Sequence, residues 1–336
     1  MNINDFSRLL TKFLGDYLPS QRNLSANTIK AYRDTFMLLL RFCRDERGID
    51  LDQLTVAQFD VDLIATFLSY LEAERHCSVA TRNQRLAAIH AFFRFLRVEE
   101  PQYMLQAERI LAIPLKRHER PEVNYLSPDD LGAILAQPDL STTEGRRDAV
   151  MLSLLYDSGA RVQELIDLSV RDVRLETPAQ IRLTGKGYKV RSVPLMKQTA
   201  RLLKQYLQEQ ASKDRGDLKE PVFSNRKGER LSRSGIRYIL RKYVDRARTT
   251  CPTLRPDISP HMLRHTKAMH LLQAGNPLVV IRNILGHTDV KTTEIYARAD
   301  MEMKRRALAT VENAAPASEL PSWQKNPDLL EWLRNL

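Results

Sequence analysis

A polar, basic stretch bounded by two prolines, from Pro114 to Pro121, divides this chain about a third of the way along. Such stretches are typical of linkers, because they have few apolar side chains to bury and proline keeps them extended. Since 336 residues are more than one typical domain holds, two domains are expected. The predicted boundaries are a first domain over residues 1–113, a linker over 114–122, a second domain over 123–314 and a tail over 315–336.

The first domain is patterned almost throughout as amphipathic helix. Apolar residues recur at helical spacing in segments near 3–18, 25–46, 56–75 and 78–98, and Ser25 can cap the second of these segments. Residues with catalytic chemistry do not cluster in this part. We therefore expect a helical module that helps to grip a ligand.

The second part combines helices with one hairpin. Gln180–Thr184 and Tyr188–Leu195 are rich in β-formers and are separated by Gly185-Lys186-Gly187, which predicts a β-hairpin. Ser127-Pro128 opens a helix with a cap and a first-turn proline. Further helices are predicted near 148–156, from about 161, and over 198–211, 232–248, 260–274 and 277–284. The expected fold class is mainly α with a small β-sheet, followed by a tail whose end, Leu329–Leu333, is amphipathic.

Several function classes lose support. The apolar stretches are far shorter than the ~20 residues needed to cross a bilayer, and Met1–Ser20 lacks the basic start of a secretory signal. No GxGxxG, GxxxxGK[ST] or GxSxG pattern occurs, which disfavours dinucleotide, P-loop and hydrolase-elbow sites. Three cysteines without CxxC spacing do not favour a disulfide framework. We expect a cytoplasmic protein that makes no membrane contact.

The net charge of +11 is concentrated in the second part. The first 120 residues carry 17 basic and 15 acidic side chains, and the rest carry 35 and 26. The predicted helix over 232–248 repeats arginine every four residues on one face, at Arg233, Arg237 and Arg241, with Lys242 beside them. Such a face is either simply solvated or tracks a phosphate backbone, which makes an anionic polymer a candidate partner.

Four of the seven histidines lie between positions 261 and 287. Ser259-Pro260 predicts a helix start, so His261 and Arg264 share one face of the first turn, where free N–H groups favour a phosphate. His261 and His265 also have the i, i+4 spacing of a metal pair, and a zinc site with Cys251 stays open. The residue after His261 is not the Glu that a zinc protease needs.

Three further polar residues, Arg161, His287 and Tyr296, are candidates for the same site. Arg161 begins a helix just after Gly159, and Glu164, one turn later, either neutralises its guanidinium or holds it for a ligand. His287 follows the helix-ending Gly286. Tyr296 lies nine residues further, where a single tyrosine usually fills a core; its ordinary pKa of ~10 makes it a poor nucleophile without nearby positive charge.

These residues carry a resemblance to a known family. Arg161 in Ser-Gly-Ala-Arg-Val-Gln-Glu-Leu, Lys186 in Gly-Lys-Gly-Tyr-Lys-Val-Arg, His261-Met-Leu-Arg264-His, Leu-Gly-His287 and Tyr296 are similar, in order and spacing, to the signature of the tyrosine recombinases. The resemblance is strongest to the Xer-type recombinases and related integrases. It extends to the first domain, where Leu24-Ser-Ala-Asn-Thr-Ile-Lys-Ala-Tyr32 resembles the core-binding domain of that family.

The resemblance implies a chemistry for each position. Tyr296 would attack a DNA phosphate to form a 3′-phosphotyrosyl intermediate, and Arg161 and Arg264 would hold its non-bridging oxygens. His261 would assist proton transfer at the nucleophile, and His287 would donate to a non-bridging oxygen. Lys186 would protonate the leaving 5′ oxygen, with Lys189 as a competitor for that role. No metal, ATP or other cofactor is implied.

The resemblance also implies an assembly. The expected protein is a two-domain, C-shaped DNA clamp that acts on double-stranded DNA with specific recombination sites. It would work as a homo-tetramer, or together with a related recombinase, with the tail docking onto a neighbouring subunit or back onto its own. Three alternatives remain at this point: a type IB topoisomerase that relaxes supercoils, a non-catalytic DNA-binding regulator, and a zinc-dependent hydrolase.

Overall fold

The computed structural model describes residues 4–117, 123–211, 218–286, 293, 295, 296, 333 and 334. The chain divides into two compact units, Met1–Pro121 and Glu122–Leu336, which are described separately below. Within these described ranges, no helix is both long enough and apolar enough to cross a membrane.

The first unit is a bundle of helices around an aromatic core. Its helices are α1 (Asp5–Lys12), which continues into a π-helical segment (Phe13–Gln21), α2 (Ala26–Arg47), α3 (Val61–Ala73), α4 (Val79–Glu99) and α5 (Met104–Leu111). Single 3₁₀ turns lie at Leu51–Gln53, Val56–Gln58 and Pro101–Tyr103. Phe13 and Phe92 are both fully buried, and their rings meet edge to face with centroids 5.4 Å apart. The predicted helical module is confirmed.

Local capping explains where these helices begin. Ser25 accepts a hydrogen bond from the N–H of Thr28 at the start of α2, as predicted, and Ser78 does the same for Thr81 at the start of α4. The predicted segment 56–75 is shorter in the structure. Asp60 accepts from the N–H of Leu63 and starts α3 there, so the residues before it form a separate 3₁₀ turn.

The second unit contains the sheet and the remaining helices. They are α6 (Pro128–Leu135), α7 (Thr143–Ser158), α8 (Val162–Asp167), α9 (Lys197–Ala211), α10 (Arg233–Thr250), α11 (Pro260–Gln273) and α12 (Leu278–Leu285). The strands β1 (Val173–Arg174), β2 (Gln180–Thr184) and β3 (Val190–Pro194) form an antiparallel sheet in that order, with 3₁₀ turns at Val170–Asp172 and Lys186–Tyr188. The mainly helical fold with a small sheet is confirmed.

The hairpin connection is longer than the predicted three residues. Gly187 (φ 72°) and Tyr188 (φ 57°) both adopt the left-handed conformation, and the Gly185 N–H donates to the Lys189 carbonyl at 2.8 Å. This bond closes a loop over Gly185–Lys189, so β3 begins at Val190 rather than at Tyr188. Tyr188 is 91% exposed. Because β-propensity mainly reflects packing of the side chain against neighbouring strands, an exposed tyrosine gains little by joining β3.

Helix α7 organises the second unit. Its buried residues include Val150, Met151 and Leu154, and it packs against α9 and α11. The Lys267 amine on α11 pairs with the buried Asp157 carboxylate on α7 at 3.2 Å. The same carboxylate accepts from the N–H of Met196, just after β3, at 2.7 Å. These bonds hold the end of α7, α11 and the sheet in one arrangement.

Candidate active site

Arg161 stands at the start of α8 because the chain turns sharply after α7. Gly159 makes this turn with φ 56°, and a Cβ on it would lie 2.6 Å from the Leu285 side chain, so glycine is required there. Arg161 is the N-cap residue of α8, and its N–H and Nη1 each donate to Glu164 at 2.8 Å. The Arg161 side chain keeps 39% exposure, so it remains accessible to a ligand.

Glu164 is held by a second arginine that the sequence analysis did not single out. The Arg191 side chain donates from Nη1 to Oε1 at 3.0 Å and from Nη2 to Oε2 at 2.7 Å. Burial by itself raises the pKa of the Glu164 carboxyl, but the bonds from Arg191 and Arg161 outweigh it and hold the pKa below its ordinary value. Glu164 is therefore an ionised anchor between the two guanidinium groups.

Arg191 also joins the sheet to the end of α12. Its Nε donates to the Ile284 carbonyl at 2.9 Å, and a Cβ on Gly286 would lie 2.8 Å from its Cδ. Removing one partner from a buried ion pair typically costs about 3–5 kcal/mol, because the other charge is left without compensation. Arg191 thus stabilises the carboxylate that orients Arg161 and fixes the backbone that leads into position 287.

Arg264 is almost completely buried, with 1% exposure. Its Nη1 donates to the Gly159 carbonyl and its Nη2 to the Leu285 carbonyl, both at 2.6 Å. Burial lowers the pKa of Arg264 to about 10, and the neighbouring charge of Arg161 contributes to the decrease. Arg264 still carries its charge at neutral pH, so two guanidinium groups approach each other where α7, α8, α11 and α12 meet.

The first two turns of α11 present two histidines, and one of them contacts Tyr296. Ser259 caps α11 by accepting from the N–H of Met262, as predicted. The rings of His261 and His265 meet edge to face with centroids 4.3 Å apart, and His265 Nδ1 lies 2.8 Å from Tyr296 Oη. Desolvation lowers the pKa of both rings, and that of His265 falls to about 4, so both are neutral at pH 7.

Tyr296 is fully buried in this arrangement, with 1% exposure. Burial raises the pKa of its hydroxyl to about 12, although the charges of Arg264 and Arg161 act in the opposite direction. The candidate nucleophile is therefore stored as a neutral phenol. It lies within electrostatic reach of the two arginines of its own chain.

The remaining predicted catalytic positions are described only in part. Gly185 packs against the site, because a Cβ on it would lie 3.0 Å from Glu164 Oε1 and 3.7 Å from Arg161 Nη1. The Lys186–Tyr188 turn therefore begins beside Arg161. Lys189, at the other end of this turn, is exposed. The side chain of Lys186, and His287 as a whole, lie outside the described parts of the structure.

The basic face of α10 begins close to α8. Arg233 Nε donates to Gln163 Oε1 at 2.8 Å. Gln163 is two positions after Arg161 in the sequence, so the start of the basic face lies near Arg161. Arg237 is exposed, and Arg241 lies 3.8 Å from Asp245. Lys242 differs from the other predicted DNA-binding residues: its amine lies 3.9 Å from the buried Asp148 and over the Tyr243 ring, on a half-buried face.

The alternative zinc site is not assembled. Cys251 Sγ lies 3.4 Å from Thr253 Oγ1 and 3.9 Å from Asp130 Oδ1, while His265 Nδ1 faces a tyrosine. Within the ranges that the structure describes, no group of three or more His, Cys, Asp or Glu residues is placed to hold a metal ion. His270 contacts the Tyr156 hydroxyl through Nδ1 and the Leu126 carbonyl through Nε2.

Both units of the chain match known protein families. Residues 124–303 match the phage integrase family, and residues 10–100 match the N-terminal SAM-like domain of phage integrases. A Sinorhizobium fredii protein named integrase/recombinase y4rC is 40% identical over 98% of this chain and 97% of its own. The tyrosine recombinase XerC of Roseiflexus castenholzii is 36% identical over 85% of this chain and 87% of its own.

Solved structures show the same fold. The XerH site-specific recombinase in a pre-cleavage complex with difH substrate is 25% identical, with a TM-score of 0.63 over 85% of this chain and 81% of that chain. The post-cleavage complex of XerH with palindromic difH aligns with a TM-score of 0.67 at 23% identity, over 87% of this chain and 82% of that chain.

Proposed function

Since this chain belongs to the phage integrase family and is a tyrosine site-specific recombinase, we propose that its DNA-cleaving centre forms where α8, α11 and the β2–β3 turn meet. One observation carries the proposal: Tyr296 lies in hydrogen-bond contact with α11, within the field of Arg264 and Arg161 of the same chain. The proposed catalytic residues are Arg161, Lys186, His261, Arg264, His287 and Tyr296, with Glu164 as the residue that orients Arg161.

The scissile phosphate would bind between Arg161 and the first turn of α11. A capped helix start offers free N–H groups and a positive dipole end to an anion, and Arg161 has an accessible guanidinium. Permanently charged guanidinium groups suit the transition state, because negative charge builds on the non-bridging oxygens as the nucleophile attacks. Glu164 and Arg191 hold Arg161 in place, so little reorganisation is needed at that moment.

Attack by Tyr296 on the phosphate would form the phosphotyrosyl bond and release a 5′ hydroxyl. His261 would assist proton transfer at the nucleophile. The family pattern favours Lys186 for protonation of the leaving oxygen, and Lys189, at the other end of the same turn, is the competitor for that role. His287 would donate to a non-bridging oxygen. The phosphotyrosyl ester keeps the energy of the broken phosphodiester, so rejoining requires no ATP.

We further propose that the N-terminal unit grips the core of the recombination site, in line with its match to the SAM-like domain of phage integrases. The XerH relative binds a palindromic DNA substrate, and palindromic sites fit two-fold related protein copies. We propose that four copies act on two sites, with the amphipathic tail docking onto a neighbouring subunit. We propose that the reaction takes place in the cytoplasm, where DNA is available and the free cysteines would stay reduced.

The exposed arginine face of α10 would position the DNA by contacting phosphates. Replacing Arg233, Arg237 and Arg241 with Ala is expected to weaken DNA binding at 150 mM salt. The slope of log affinity against log salt should fall by about one unit for each lost phosphate contact. Fluorescence anisotropy with a labelled duplex measures both quantities.

The matched control removes three exposed charges from α9. Lys197→Ala, Arg201→Ala and Lys204→Ala change the net charge by the same amount, so an effect of net charge alone would appear in both triple variants. Equal salt slopes for the two triple variants would contradict the proposed role of α10.

The proposed function is tested in two steps: the DNA sequence that the protein cleaves is identified, and recombination between two copies of it is then measured. Nicked duplexes with randomised arms are incubated with the protein, and DNA that survives denaturation in covalent attachment is sequenced. The recovered sequence is then placed twice on one plasmid. We expect deletion or inversion between the two copies. Covalent capture followed only by relaxation of supercoils would indicate topoisomerase action, and DNA binding without capture would indicate a non-catalytic regulator.

A further inference from the structure

His265 lies in the candidate site, and the proposed reaction assigns it no role. It lies one residue after Arg264 and one turn after His261, on the same face of α11. Its Nδ1 is 2.8 Å from Tyr296 Oη, and the two rings are inclined at 62° with centroids 5.6 Å apart. His265 is therefore in direct contact with the atom that would attack DNA.

The direction of this hydrogen bond follows from the state of each partner. Burial, the neighbouring His261 ring and the Arg264 charge lower the pKa of His265 to about 4, so the ring is neutral at pH 7. Tyr296 keeps its proton, because its pKa is raised to about 12. With Nδ1 facing a protonated phenol, Tyr296 donates and His265 accepts, which leaves the imidazole proton on Nε2.

We propose that His265 is a catalytic residue that takes the phenolic proton directly when Tyr296 attacks the scissile phosphate. The proposal rests on the proposed function. As the Oη–phosphorus bond forms, the bond from phosphorus to the 5′ oxygen breaks and its electrons pass to that oxygen, which is protonated as it leaves. The Tyr296 proton moves along the existing hydrogen bond to Nδ1 and gives an imidazolium ion. Rejoining returns this proton to Tyr296.

A weakly basic imidazole suffices for this step. A phenol becomes strongly acidic as its oxygen bonds to phosphorus, so the acceptor needs to be in place rather than strongly basic. The bound phosphodiester also brings negative charge next to the site, and a nearby negative charge favours the protonated form of His265. His261 packs edge to face against the His265 ring at 4.3 Å and keeps Nδ1 aimed at the nucleophile.

The test compares two variants of His265 with a matched histidine on the same helix. His265→Asn keeps an oxygen acceptor at the place of Nδ1 but cannot take up a proton at neutral pH. His270→Asn is the control, because His270 Nδ1 makes a similar bond to the Tyr156 hydroxyl at 2.9 Å, away from the proposed site. The measurement is the single-turnover rate of covalent complex formation on the nicked substrate captured by the wild-type protein.

We expect the His265→Asn rate to fall by about 100-fold or more, in the range typical of a lost general base, while His270→Asn stays within about threefold. Added imidazole should raise the rate of His265→Ala at least about tenfold, because it can occupy the space left by the ring, and should not help Tyr296→Phe. Thermal melting and DNA affinity of each variant show that the protein is folded and binds.

A His265→Asn rate within threefold of the wild type would overturn the inference, because it would show that the bond only positions Tyr296. A failure of imidazole to rescue a folded, DNA-binding His265→Ala protein would count against it in the same way. The proposed function fails separately, if the wild-type protein itself forms no covalent complex.

Discussion

Tyr296→Phe is expected to abolish the covalent protein–DNA complex while leaving DNA binding and the fold intact. The change removes only the phenolic oxygen, which is the one atom that would bond to phosphorus. Because the ring stays and fills the same buried space, the stability cost should come mainly from leaving His265 Nδ1 without its donor, about 1–3 kcal/mol. The measurement is the shifted protein–DNA band on a denaturing gel after incubation with the nicked substrate.

Tyr156→Phe provides the control for this result. Tyr156 also bonds to a histidine of α11, with its hydroxyl 2.9 Å from His270 Nδ1. Its loss should weaken the packing of α7 against α11 by a similar amount and leave covalent complex formation near the wild-type level. A Tyr296→Phe protein that still gives the shifted band would place the nucleophile elsewhere in the chain.

Arg264→Lys is expected to lower the rate of covalent complex formation by about 100-fold to 1,000-fold, as for the loss of a donor aimed at developing negative charge. A lysine keeps the charge but has one ammonium group. It therefore cannot reach the Gly159 and Leu285 carbonyls together as the guanidinium does. One buried carbonyl is left without a donor, which should cost a further 1–3 kcal/mol or so of stability.

Arg146→Lys is the control for Arg264→Lys. Arg146 Nη1 also donates to two backbone carbonyls, those of Leu140 and Ser141, at 2.8 Å each, but away from the proposed site. The Arg146→Lys change should lower the melting temperature without a comparable loss of DNA cleavage. If Arg264→Lys cleaves DNA at the wild-type rate in single-turnover reactions, Arg264 has only a structural role.

The elements of the fold were predictable where local signals are strong. Ser25 and Ser259 mark helix starts that the structure confirms, because a short polar side chain at an N-cap satisfies free backbone donors whatever surrounds it. The predicted start of β3 was wrong by two residues: the strand begins at Val190, not at Tyr188. Gly185, where this loop begins, packs closely against Glu164, and that long-range contact has no local sequence signal.

The candidate site was predictable only where its residues are close together in the sequence. Arg161 with Glu164, and His261 with Arg264, are each three residues apart, so helical spacing brings them together. Arg191 is 27 residues from Glu164, and only the strand alternation, which puts Arg191 on the same face as the buried Val193, hints that it points inward. His265 was interpreted only as one of a possible metal pair, because its contact with Tyr296 spans 31 positions.

We propose that one chain supplies all the residues of one reaction centre: Arg161, His261, Arg264, His265 and Tyr296. Mixing Tyr296→Phe protein with Arg264→Lys protein on the captured site tests it most directly, because neither protein alone has a complete centre. If each chain supplies its own tyrosine, the mixture gives no more covalent complex than Arg264→Lys alone. A mixture that restores the covalent complex, attached to Tyr296 of the Arg264→Lys chain, would contradict a single-chain centre, because that tyrosine would have acted in the centre of another subunit.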